Sequence, residues 1–166
     1  MYRIGIDLGG TNIAAGIVDE NFKIVYKDSV PTGADRASEA IADDMVMLCH
    51  SVCAKAGIDP SEIASVGIAA PGIADHDHGL IVYSCNLPFL KFPICQYIAD
   101  RFPVANVFVE NDANAAAWGE AVAGAARGTS NSVMITLGTG VGGGVVVNGQ
   151  LMEGNKSAGA ELGHMS

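Results

Sequence analysis

Asp7-Leu8-Gly9-Gly10-Thr11-Asn12 comes directly after the apolar run Ile4-Gly5-Ile6 and runs straight into Ile13-Ala14-Ala15-Gly16-Ile17. Two apolar runs so close together leave room only for a tight bend. Residues 2–7 and 13–19 therefore read as strands joined at Gly9-Gly10-Thr11. A backbone that must approach a polyphosphate closely needs glycine, because a side chain blocks the approach and positive φ is often required. Successive peptide N–H groups in such a bend form a concave anion site. Far along the chain, Leu137-Gly138-Thr139-Gly140-Val141-Gly142-Gly143-Gly144 repeats the arrangement, again after an apolar run. Two such bends suggest a clamp on one phosphate chain. Between them, Glu110-Asn111-Asp112 places an acidic step at a strand end. A phosphate clamp with a carboxylate is the skeleton of a phosphoryl transferase.

The rest of the pattern builds a frame for those bends. Residues 22–30 read as a third strand, with Glu20-Asn21 as the turn, and Pro31-Thr32-Gly33 breaks the run. Ala37, Ile41, Met45, Leu48, Val52 and Ala56 recur at helical spacing over 36–56, and Gly57 is the natural stop. Ser61-Glu62 starts a short turn. Residues 65–69 carry no charge, as a strand of a parallel sheet does. A hairpin is expected over 71–83, with Asp75-His76-Asp77-His78-Gly79 at its tip, read as a solvated turn rather than a metal site. Then come a helix at 93–102, a strand at 107–109, an Ala-rich helix at 113–126 capped by Asn111 or Asp112, and strands at 132–137 and 144–147 before the Asn148-Gly149 turn. A three-strand meander followed by helix–strand alternation predicts an α/β fold, a mixed sheet with helices on both faces. Asp7, Ala70-Pro71-Gly72, Asn111-Asp112 and Gly138-Thr139-Gly140 all fall at strand ends, where ligands gather in such sheets.

Composition narrows the function classes. Of 166 residues, 49% are apolar and 16% charged, enough for a substantial core, and no apolar stretch reaches the ~18 residues of a membrane span. The net charge of −9 argues against a nucleic-acid partner, since duplex binding rests on clustered Lys and Arg. The first residues lack the layout of a signal peptide. Cys49, Cys53, Cys85 and Cys95 include no C-x-x-C pair and read as reduced, buried thiols of a cytoplasmic protein. His50 points about 100° away from Cys49 on the helix, so the two do not form a metal site. No G-x-x-x-x-G-K-[ST] segment supports a P-loop.

Asp7-Leu8-Gly9-Gly10-Thr11-Asn12, Glu110-Asn111-Asp112-Ala113-Asn114-Ala115-Ala116, the 137–144 segment and Glu161-Leu162-Gly163-His164-Met165 together resemble the ROK family (repressors, open reading frames and sugar kinases), in its bacterial glucokinase branch. The match runs in order over essentially the whole chain. It implies an actin-like, ribonuclease-H-like ATPase domain and transfer of the ATP γ-phosphate to a hexose hydroxyl with Mg²⁺. By the resemblance, Asp112 is the general base. Asn86, Asn111, Asp112, Glu161, His164 and Gly72 form the sugar side. Gly9, Gly10, Thr11, Asn12, Gly138, Thr139 and Gly140 form the nucleotide side, and Asp7 orients Mg²⁺, through water if not directly. His164 is also commonly a zinc ligand in that family. The cysteines that complete the zinc site would follow about ten residues later, so Zn²⁺ is expected only in a full-length parent.

The expectation is an N-terminal lobe over 1–166, with a core at about 1–120 and the second phosphate loop and the start of the sugar segment at 121–166. A second lobe is expected to be missing, which implies weak or absent turnover by this lobe alone. Relatives of that kind are often homodimers. The alternatives are a ROK-type transcriptional regulator and a non-catalytic sugar-binding module. No basic helix precedes the first strand and the net charge is negative, both contrary to the regulator. A module has no use for a carboxylate at position 112. The hexose, and ATP against polyphosphate as donor, stay open at this level.

Overall fold

The computed structural model of the protein describes residues 1–138, 140–154, 160 and 162–164, with His164 described by its backbone alone. Two compact units divide the chain, Met1–Glu110 and Asn111–Ser166.

The first unit runs β1 (Tyr2–Leu8), β2 (Asn12–Val18), β3 (Ile24–Pro31), α1 (Ser38–Ala56), β4 (Ile63–Ala70), β5 (Ile73–Asp75), β6 (Leu80–Tyr83), β7 (Leu90–Phe92), α2 (Ile94–Ala99) and β8 (Val107–Asn111), whose last residue opens the second unit. Its main sheet has the order β3-β2-β1-β4-β8. The three-strand meander is antiparallel, and β4 joins β1 in parallel, as its uncharged sequence implies. Alternation along β1 puts Ile4, Ile6 and Leu8 on the buried face and Arg3, Gly5 and Asp7 on the other. Register carries that face across the sheet: Ile4 lies opposite Ile17 and Val66, and Ile6 opposite Ala15 and Ile68.

Helix α1 packs on β2 and β3 and brings Ile41, Met45, Leu48, Cys49, Val52 and Cys53 to the core. Each buried aliphatic side chain of this kind stabilises by about 1.5–3 kcal/mol. The helix stops at Gly57, which is left-handed (φ 68°), with the Gly57 N–H bonded to Ala54 O and the Ile58 N–H to Cys53 O, the double bond of a Schellman motif. Asp59 then caps a short 3-10 turn, Pro60–Glu62, through a reciprocal capping box. β5, β6 and β7 make a separate small sheet, and β7 is a strand that the sequence pattern does not reveal. Helix α2 is shorter than its 93–102 expectation: Pro93 stands at the N-cap and the helix ends at Ala99.

The second unit runs α3 (Asp112–Ala123), β9 (Ser132–Leu137), β10 (Val141–Val147) and β11 (Gln150–Leu151), with sheet order β11-β10-β9. A 3-10 turn, Leu162–His164, follows. Helix α3 packs on β9 and β10. It ends three residues before the expected 126, because Glu120 folds back and its Oε2 accepts from the Ala125 N–H at 2.6 Å. The second glycine segment is not one loop. Only residues 138–140 lie between the strands, while Gly142, Gly143 and Gly144 sit inside β10, opposite Thr136, Ile135 and Met134. Packing demands them there. A Cβ on Gly144 would stand 2.4 Å from Ala117 Cβ, and one on Gly143 2.3 Å from Leu162 Cδ1.

Candidate functional site

The first bend is a tight loop between β1 and β2, flanked by the Leu8–Ile13 pair. The Gly9 N–H closes it on Asn12 O at 3.0 Å. Neither Gly9 nor Gly10 has positive φ, so the expected need for left-handed backbone is not met here. Close approach requires these glycines instead. A Cβ on Gly9 would lie 2.8 Å from Asn12 O, and one on Gly10 would lie 3.0 Å from Asn86 Nδ2. Asn86 is thus brought close to the bend. Its Oδ1 accepts from the buried Ser84 hydroxyl at 3.1 Å. Gly72 (φ 96°) lies against the end of β6: a Cβ there would stand 2.2 Å from Tyr83 O.

Asp7 occupies the exposed face of β1, one residue before the buried Leu8 and opposite the small residues Ala14 and Ala69. Thr11 and Asn12 are exposed at the bend. Thr32, read from sequence only as part of a strand break, proves to touch this bend: its Oγ1 donates to Gly9 O at 2.6 Å. The sole sequence signal for it was a Thr between Pro31 and Gly33 at the end of β3.

In the second unit, Asn111 caps α3, its Oδ1 accepting from the Ala113 and Asn114 N–H groups at 3.0 and 3.1 Å. Asp112, the first helical residue, is exposed, and its Oδ1 lies 2.9 Å from the Ala113 N–H. Gly138 and Gly140 are exposed and closed by a Gly138 N–H to Gly140 O bond of 3.0 Å; a Cβ on either would meet nothing within 4 Å. Thr139 and Glu161 lie outside the described residues, as does the His164 side chain. The two bends belong to different units, the first with Asp7 and Asn86, the second with Asn111 and Asp112.

The hairpin tip is a turn, exposed at His76, Asp77 and His78. Asp75 accepts from the His78 backbone N–H, which draws its carboxyl below the ordinary 3.8, and also faces the His78 ring at 2.9 Å. His76 Nδ1 lies 3.6 Å from Glu110 Oε2. Burial pushes the Cys49 thiol up to about 12 and Cys95 to about 11, and raises Cys53 as well. Cys85, read from sequence as a buried thiol, is exposed.

Comparison with known proteins places these features in context. The model of the ROK family matches residues 3–166. The glucokinase of Streptomyces coelicolor is 40% identical over 162 residues, 98% of this chain and 49% of that protein. A crystal structure of a ROK family glucokinase from Streptomyces griseus, in complex with glucose and AMPPNP, superposes with a TM-score of 0.89 at 37% identity, covering 99% of this chain and 50% of the other. The xylose repressor of Bacillus subtilis is 32% identical over 165 residues, 99% of this chain and 42% of that protein. The chain spans about half the length of the curated relatives it matches. Its fold is the α/β fold of the actin-like ATPases. On these grounds the chain belongs to the ROK family.

Proposed function

We propose that this chain carries the sugar-side and first phosphate elements of an ATP-dependent hexose kinase of glucokinase type, with Asp112 as general base. The observation that carries the reading is the division of labour at the start of α3. Asn111 caps both the Ala113 and Asn114 N–H groups, while Asp112, whose Oδ1 shares the Ala113 N–H, stands exposed at the helix N-terminus. A carboxylate so placed can accept the proton of a sugar hydroxyl as that oxygen attacks the γ-phosphorus. The rest of phosphoryl transfer is positioning and charge neutralisation. Gly9, Gly10, Gly138 and Gly140 are suited to backbone contact with phosphate oxygens, and Thr11 and Asn12 to side-chain contact. Asp7 is a hard oxygen donor at the exposed end of β1, which fits Mg²⁺ directly or through water. When bound, Mg²⁺ would neutralise charge on the phosphates. Asn86, together with Glu161 and His164, would hold sugar hydroxyls. Similarity to glucokinases supports glucose as the first substrate to test. Zinc has no part in the reading.

The test is a hybrid in which residues 1–166 replace the matching half of the Streptomyces coelicolor glucokinase. A coupled assay of glucose phosphorylation is expected to show turnover, and Asp112→Asn is expected to lower kcat by about 10²–10⁴-fold, with glucose affinity retained. Unchanged turnover in Asp112→Asn would remove Asp112 from its role. The second reading, a sugar-responsive regulator, is favoured by the resemblance to the xylose repressor. It predicts a hybrid that binds sugar and does not consume ATP.

A further inference from the structure

We propose that Thr32 is a positioning residue for the first phosphate bend, a buried tether that fixes which way the backbone N–H groups of the bend point. The inference rests on reading the 9–12 bend as a phosphate site and adds a residue to it. Thr32 has no exposed surface, and each of its polar groups is engaged. Its hydroxyl donates to Gly9 O at 2.6 Å and its N–H to Thr11 O at 2.9 Å. Its own carbonyl accepts from Arg36 Nη2 at 2.6 Å. Arg36 in turn pairs with Asp44 on α1. A line of contacts thus runs from the helix, through Arg36 and Thr32, to two carbonyls of the bend.

A trans peptide holds its C=O and N–H in one plane, pointing in opposite directions. Pinning Gly9 O on Thr32 therefore turns the Gly10 N–H away from Thr32, and pinning Thr11 O turns the Asn12 N–H away in the same manner. Two donors are thus set facing away from Thr32 before any anion arrives. Preorganised donors are worth more to a bound charge than donors that must reorient. Threonine suits this position because its branched side chain is stiff at χ1, and its hydroxyl satisfies a carbonyl that would otherwise be left without that partner.

The variants are Thr32→Val, which keeps the shape and the N–H and loses the hydroxyl, and Thr32→Ser, which keeps both donors. Amide hydrogen exchange reads the bend itself, and isothermal titration with Mg·AMPPNP and with glucose reads its use. Thr32→Val should speed exchange of the Gly9 amide at least tenfold, with the Ile6 and Ile68 amides unchanged. It should weaken Mg·AMPPNP about tenfold and leave glucose affinity within twofold, and Thr32→Ser should restore both. Wild-type exchange at Gly9 in Thr32→Val, or parallel loss of AMPPNP and glucose affinity, would overturn the proposal. Faster Gly9 exchange in a protein whose wild type binds no AMPPNP would instead overturn the phosphate reading of the bend, while upholding the tether.

Discussion

At the scale of single residues, the start of α3 is the sharpest case. Asn111 and Asp112 are both good helix caps, so sequence leaves the choice open. It is decided by where β8 ends: the strand runs through Asn111, and the helix begins at Asp112. Asn111→Ala should therefore cost about 1 kcal/mol of stability, measured by urea denaturation, whereas Asp112→Asn should stay within about 0.5 kcal/mol. Equal costs would contradict the assignment of cap and base to different residues. Surface carboxylates make a second residue-scale prediction. Asp28 is held below its ordinary 3.8 by its hydrogen bond to Lys55, Asp59 by the Ser61 hydroxyl, and Asp75 by the His78 N–H. A carboxyl whose folded pKa is depressed adds stability above its unfolded value and loses it as pH falls through the folded one. Melting temperature should thus hold from about pH 6 to about 4 and fall below about 3.8, with a shallower fall in Asp28→Asn. Melting that is flat down to about pH 3 would refute this.

At the scale of elements, periodicity revealed what local pattern controls and missed what tertiary contact controls. The meander, α1 with its glycine stop and the parallel β4 were all legible, because alternation and 3.6-residue spacing fix them locally. The start of β10 was not. A Gly-Gly-Gly run reads as a loop from sequence, yet bare backbone is needed at Gly144 because α3 lies so close that no Cβ fits. Likewise α3 ends early through the Glu120 side chain, which no spacing rule anticipates. The contrast gives a test in pairs. Gly144→Ala places a Cβ 2.4 Å from Ala117 Cβ and 2.9 Å from Ala113 O, whereas Gly5→Ala on β1 meets nothing within 4 Å. The first should destabilise by about 1–3 kcal/mol. The second should be neutral or stabilising by up to about 0.5–1 kcal/mol, since alanine gives up less backbone freedom on folding than glycine. Equivalent denaturation midpoints would show that β10 does not need bare backbone.

At the scale of the whole molecule, the fold class and family were readable because four motifs kept their order along the entire chain. The approach of Asn86 to the first bend was not legible, since Asn86 lies 76 positions after Gly10. Thr32 was invisible, for a buried tether has no sequence pattern of its own. The central claim is that both glycine bends bind phosphate. Titration of the ¹⁵N-labelled chain with Mg·AMPPNP, followed by amide chemical shifts, tests this most directly. The account predicts that Gly9, Gly10 and Thr11 shift together with Gly138 and Gly140, with one common saturation curve. Shifts confined to one bend, or absent from both, would contradict it.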